Sequence, residues 1–405
     1  MIDPEYRFYT DNGSWTNHVE DQIVVMDFDQ RRHYAIRGPS SFLRLADEER
    51  DGIDGIEVLK RYMDQIDPAI HTLFVDATGT LVSTSSDPEE DPQQAILYPS
   101  LLDAPSLQDC RMITMTELTE LDRIMPGIDL MSYEDDDVTA KKVIFKNTPI
   151  MQFQERRWRE IIMLHSLPTH PNIVALDRIV VDDTTSQHIL GFTVPYVPAP
   201  SLDKDPTQVF RLEWFKQLTS LVDYLNLELR IANQDIAPRN LICFEQAPAG
   251  SQLRMIDFEF STAMGLPWHV EEFNDVKGVI FTLYEIITLD SSYRKVHPSE
   301  QNPDIVMNLE EWPCRRPLDA EVEIFRQHLK EWVTSRQAIT MSPTTPPPPP
   351  FPAMPKPRPV AYIDFAAQQP AQISIAQLPR VVAEEYGNYI ISWQRPPSSM
   401  RPSDS

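Results

Sequence analysis

Cysteine is scarce. The 405-residue chain has three, Cys110, Cys243 and Cys314, far apart and in no C-x-x-C pair, so neither a disulfide framework nor a thiolate zinc site is expected. Positive charge is short as well: 36 Lys and Arg face 61 Asp and Glu, a formal net charge of -25. That excess repels nucleic-acid backbones and anionic membrane surfaces, and nucleic acid is set aside as a partner. Long apolar runs are missing. No uncharged stretch is long enough to span a bilayer, and the opening residues MIDPEYRFYTDNGSW have no basic start leading into an apolar core, which argues against membrane insertion and a secretory leader. The expectation is a soluble intracellular protein, cytoplasmic or nuclear without distinction.

What is present is ordered along the chain. Residues 1–110 alternate short apolar runs with acidic, turn-rich ones: QIVVMDF (22–28), the helix-like EVLKRYM (57–63), HTLFVDATGTLV (71–82), then the polar SSDPEEDPQQ (85–94). VVMDF and TLFVD read as strands from their branched and aromatic content. The segment reads as an N-terminal extension or a small α/β unit of unassigned role. Asp27, Asp29 and Asp76, at strand ends beside turns, read as solvated surface. At the other end, ten of the twenty residues from Met341 to Val360 are proline, which sustains neither helix nor central strand and predicts an extended polyproline linker. Its stretch 346–359 suits an SH3- or WW-type aromatic groove, with a plain spacer the commoner alternative. The tail 361–405 holds two strand-like pieces, AYIDF and YGNYIISW.

Residues 115–335 follow a more telling order. ELTELDRI (117–124), IDLMSY (128–133) and AKKVIFK (140–146) are successive strand candidates, and QERRWREIIMLHSL (154–167) is an amphipathic helix. HPNIVALDRIVV (170–181) and QHILGFTVPYV (187–197) resume strand character. From Arg211, Leu212, Phe215, Leu218, Leu221, Val222 and Leu225 recur at helical spacing and mark a long buried helix. The predicted class is α+β, a sheet-rich part preceding a helix-rich one. Next come IANQDIAPRNLICF (231–244) and RMIDFEFS (254–261), two short strands joined by a turn at APAGS. Such a hairpin brings Asn240 and Asp257 near each other, an amide and a carboxylate suited to magnesium with substrate phosphate. Asp235, on a loop five residues before Asn240, is placed to accept a proton from an incoming hydroxyl, and Arg239 adds positive charge beside it.

Taken together, these residues resemble the protein-kinase-like superfamily, and more narrowly the divergent kinase-like proteins common in fungi. Lys146 ends VIFK, Glu160 lies in WREIIML, HPNIV follows, DIAPRN (235–240) keeps the D-x-x-x-x-N spacing, IDFE (256–259) stands in place of D-F-G, and DVKGVIFTLYEI (275–286) resembles the helix that anchors the catalytic loop. The resemblance implies a two-lobed fold over 115–335, with a small antiparallel sheet lobe carrying one helix and a larger helical lobe. It also implies ATP and magnesium as cofactors, Lys146 on the triphosphate positioned by Glu160, Asn240 and Asp257 on the metal, Asp235 as base with Arg239 near the transferring phosphate, and a protein substrate or partner. In TVPYVPAPSL (193–202), Pro195 C=O and Val197 N–H take the adenine-binding places.

Departures from the family pattern keep three functions open. Met125-Pro126-Gly127 replaces the glycine-rich phosphate loop, and Asn233-Gln234-Asp235 replaces H-R-D, removing the arginine that reads a phosphorylated activation loop. Glu259 replaces the D-F-G glycine, as in choline and aminoglycoside phosphotransferases. A protein kinase, a small-molecule kinase and a non-catalytic nucleotide- or protein-binding module (a pseudokinase) are the alternatives.

Overall fold

A computed structural model describes residues 2–10, 15–16, 20–39, 54–63, 66–135, 140–246, 250–338, 351–355, 360–364, 369–373, 380–385, 387 and 390–398. The first sheet is built from β1 (Phe8–Thr10), β2 (Trp15–Thr16), β3 (Glu20–Asp27) and β4 (Arg32–Pro39), followed by helix α1 (Gly55–Tyr62) and strands β5 (Thr72–Val75) and β6 (Leu81–Ser85). Its order is β1-β3-β4-β5-β6, with β2 on β3. β4 and β5 run parallel, which requires a crossover, and α1 supplies it. Asp54 caps that helix by accepting the Ile56 N–H at 2.9 Å, and Glu57 in its first turn and Lys60 and Arg61 in its last complement the dipole. Its Val58 and Leu59 close over Ile23, Val25, Tyr34 and Ile36 of the sheet.

A second sheet contains β7 (Met112–Thr114), β8 (Thr119–Met125), β9 (Ile128–Glu134) and β10 (Ala140–Asn147), then, after helix α2 (Gln154–Ser166), β11 (Arg178–Val181) and β12 (Ile189–Pro195). Its order is β7-β11-β12-β10-β9-β8. A Cβ on Gly191 of β12 would meet the Lys146 carbonyl oxygen of β10 at 2.1 Å, so only glycine permits that approach. Beyond lie α3 (Leu212–Asp223), β13 (Ile231–Ala232), the hairpin β14 (Leu241–Gln246) with β15 (Gly250–Met255), β16 (Thr262–Ala263), α4 (Asp275–Thr288), α5 (Pro303–Met307) and α6 (Val322–Ala338). The last elements are β17 (Val360–Asp364), paired with β18 (Gln369–Ile373), and α7 (Arg380–Glu385).

Contacts divide the chain into two compact units, one of residues 1–154, 178–193 and 355–405, the other of 155–177 and 194–354. The first holds nearly all of the two six-stranded sheets and the second most of the helices, an α+β arrangement with a sheet-dominated and a more helical region. Among the described residues no helix is long and apolar enough to cross a membrane.

Several local expectations need correction. Asp27 and Asp29 are not solvated: they are 0% and 1% exposed. Asp27 is paired with Arg7 at 2.8 Å and Asp29 with Arg123 at 3.1 Å. Of HPNIVALDRIVV only residues 178–181 form a strand, and 390–393, the described end of YGNYIISW, form none. β7 lies where no strand was expected. Most of the proline-rich stretch, 341–350 and 356–359, is outside the described residues; within 351–355 the Pro352 carbonyl accepts the indole N–H of buried Trp158 at 2.9 Å.

Candidate functional site

In the second unit, α3 presents Trp214, Phe215, Leu218, Leu221 and Val222 to the interior, the apolar stripe that fixes where the following loop starts. That loop, 233–240, is tied at both ends. β13 pairs with β16 before it, and β14 pairs with β15 after it with Leu241 opposite Met255. The register makes Asn240 and Asp257 leave the hairpin at the same end, and the Ile256 N–H donates to the Asn240 carbonyl at 3.0 Å. The HPNIV segment braces the second strand. Asn172 donates its amide to the Leu253 carbonyl at 2.7 Å, and the Met255 N–H donates to the Asn172 carbonyl at 2.9 Å.

Asp275 anchors the loop from below. Buried at the start of α4, its carboxylate accepts the Asn233 N–H at 2.8 Å, the Gln234 N–H at 2.7 Å and the Asn226 amide at 2.7 Å. Burial pushes this carboxyl above the ordinary range against those hydrogen bonds. Gly278, one turn on, lies where a Cβ would come within 2.9 Å of Ile236 Cβ, so helix and loop are in direct contact. Asn233 takes up the remaining slack, donating its amide to the Asp257 carbonyl at 3.0 Å while accepting the Asp235 N–H at 3.1 Å.

On this frame Asp235 is held by Asn240, whose amide donates to one carboxylate oxygen at 2.7 Å and to the Asp235 carbonyl at 2.9 Å. Arg239, itself exposed, ion-pairs with the other oxygen. Desolvation raises the Asp235 pKa, Asp257 adds to the rise, and Arg239 and Asn240 oppose it. Asn240 Oδ1 accepts no hydrogen bond among the described residues, which leaves an oxygen donor beside the Asp257 strand. Glu160 of α2 is fully buried, accepts the Phe258 N–H at 3.4 Å and pairs with Arg157 of its own helix.

Sequence reasoning missed one feature of this region. Glu160, Asp257 and Glu259 each offer a carboxylate oxygen, all within 4.8 Å of one another, and Glu259 donates its N–H to Asp257 Oδ1 at 3.1 Å. Glu259 was read as a replaced glycine within a segment resembling small-molecule phosphotransferases, not as a ligand itself. The signal available was a second acid two residues after Asp257, a spacing that puts both on one face of an extended segment.

The remaining candidates lie on or just after β12 and on β10. Val197 is buried, its carbonyl accepts the Ala199 N–H at 2.8 Å, and its own N–H has no partner among the described residues; Pro195 ends β12. Lys146 is buried on β10 opposite Ile128, in the first unit, and its partnership with Glu160 rests on the resemblance. The β8–β9 connection is a two-residue turn at Pro126–Gly127, with Met125 opposite Ile128.

No protein-family model matches the chain, and no curated protein matches it significantly. What stands established is an α+β protein with a sheet-dominated and a more helical region.

Proposed function

We propose that the chain is an ATP- and magnesium-dependent phosphotransferase of the protein-kinase-like kind, with a protein hydroxyl as the first acceptor to test. The observation that carries the reading is the loop 233–240, where Asp235, Asn240 and the Asp257 strand are locked together by hydrogen bonds and fixed to α4 through Asp275. Phosphoryl transfer asks the protein mostly for positioning and charge stabilisation, and a rigid loop of this composition supplies positioning. Asp235 orients or deprotonates the acceptor hydroxyl. Asn240 Oδ1 and the Asp257 carboxylate are hard oxygen donors of the type magnesium takes, with Glu259 close enough to add a third. The metal, when bound, neutralises charge on the phosphates. The Val197 N–H, open among the described residues, is the donor for an adenine ring.

A second reading has its own support. The two-residue β8–β9 turn provides no glycine-rich clamp, and Arg239 occupies one oxygen of the proposed base, features that suit a nucleotide- or protein-binding module without transfer. The deciding experiment is transfer of labelled γ-phosphate from ATP with magnesium to protein and to small-alcohol acceptors. The enzyme reading expects Asp235→Asn to lower the rate about 10²- to 10⁴-fold, the usual worth of general base catalysis, with ATP affinity retained. Transfer to alcohols alone makes the protein a small-molecule kinase. ATP binding without transfer to either acceptor class leaves the binding module.

A further inference from the structure

Residues 390–398 have no regular secondary structure apart from a single turn residue at the end, yet their side chains alternate. Ile391 packs against the apolar cluster of the second sheet, Trp393 is buried within it, and Arg395 is largely buried, while Ser392, Gln394 and Pro396 between and after them are exposed. A period of two is how an extended peptide sits on a receptor, with alternate side chains in pockets and the rest facing out. The Trp393 ring lies 6.4 Å from Phe145 and 5.9 Å from Tyr98, with the Arg31 guanidinium 4.7 Å from its centroid.

Two residues on, Arg395 donates to Glu120 at 2.6 Å, to Asp129 at 3.0 Å, to the Asp29 carbonyl at 2.8 Å and to the Phe28 carbonyl at 3.2 Å. Its backbone N–H donates to the Gln30 carbonyl at 3.0 Å. Arg123 donates to the Pro396 carbonyl at 2.9 Å, and the Ser398 N–H and hydroxyl both donate to the Asp29 carboxylate. Every receptor group here belongs to the first unit, as does the segment itself.

Charge shows what the site selects. Asp29, Glu120 and Asp129 face Arg31, Arg123 and Arg395, three acids against three bases. With the segment in place Asp29 and Asp129 are each 1% exposed; without it the same three acids face two bases. An excess of carboxylate among close charges favours a guanidinium partner, and the aromatic slot sets its distance from a tryptophan.

We propose that the first unit carries a docking site for an extended Trp-x-Arg segment, filled in cis by residues 391–398, which form a releasable latch. The proposal is independent of the phosphotransfer reading. Its occupant is this chain's own C-terminal segment, and a second copy offering that segment in trans is an outcome the test resolves.

The test uses the full chain with Arg395→Ala, a fluorescein-labelled peptide of residues 389–398, and peptides in which the Trp or the Arg is alanine. The variant, its own latch weakened, should bind the unmodified peptide at least about tenfold more tightly than either alanine peptide, the worth of one buried anchor. Wild type should bind it about tenfold more weakly than the variant does, because its own segment competes. Wild type that dimerises through exchanged segments supports the site and places the occupant in trans. A folded variant that ignores the peptide, or binds all three peptides alike, overturns the proposal. If the variant does not fold, hydrogen exchange on wild type decides: the Arg395 amide should open at least about tenfold faster than the β10 amides, and exchange only through global unfolding makes the segment core structure rather than a latch.

Discussion

Asp235 is the residue on which the chemical reading turns. Its carboxyl is pushed above the ordinary 3.8 by burial, with Asp257 adding to that push. A folded-state pKa above the unfolded one means that the folded protein binds more protons between the two values. The group's contribution to stability is then fully present below the unfolded pKa and is lost as pH rises through the folded one. Comparing denaturant unfolding of wild type and Asp235→Asn from about pH 4 upward, the variant should gain on wild type as pH rises. The gain is about 1.4 kcal/mol for each tenfold difference in proton affinity between folded and unfolded carboxyl. A difference that stays flat with pH contradicts the partly buried, desolvated state of this carboxyl. In the same window the phosphotransfer rate should climb with pH, since only the ionised carboxylate accepts a proton.

Gln234, where the family resemblance places an arginine, ties loop 233–240 to the segment after Asp257. Gln234, with φ 66°, donates its amide to the Phe260 and Trp268 carbonyls at 2.7 and 3.0 Å and accepts the Val270 N–H at 2.6 Å. These neutral bonds hold the segment after Asp257. Gln234→Ala should cost about 1–3 kcal/mol for the hydrogen bonds lost and speed limited proteolysis between residues 260 and 270. An unchanged cleavage pattern would show that the segment is held by something else. Trp268, 57% exposed at φ 78° and lying under Arg159 at 4.5 Å, supplies a fluorescence reporter for the same experiment.

Across the whole molecule, what could be read from the chain alone was whatever is local. The strands near 128–133 and 140–146, the helix at 154–166 and the 241–255 hairpin follow from periodicity and turn residues, and the hairpin register follows from them. Asp29 was misread because its partners, Arg123 and Ser398, lie 94 and 369 positions away, beyond any sequence pattern. Trp393 and Arg395 escaped for the same reason: YGNYIISW read as strand-like, whereas single anchors tie the segment to residues that precede it by up to 369 positions. Asp275 and its two backbone hydrogen bonds were signalled only by the resemblance, since a buried carboxylate at a helix start looks like an ordinary first-turn acid. Glu259 was visible as a residue but not as a neighbour of Glu160, 99 positions earlier on α2.

The central claim is that the Asp257 strand and Asn240 hold a metal that in turn holds nucleotide, and calorimetric titration with ATP measures it directly. Wild type should bind ATP at least about tenfold more tightly with magnesium than without, because the phosphates complete the shell of a cation that the carboxylates favour. Asp257→Asn should abolish most of that difference, and Asp235→Asn should leave it nearly intact. No ATP binding under either condition, or binding indifferent to both magnesium and Asp257, would contradict the account.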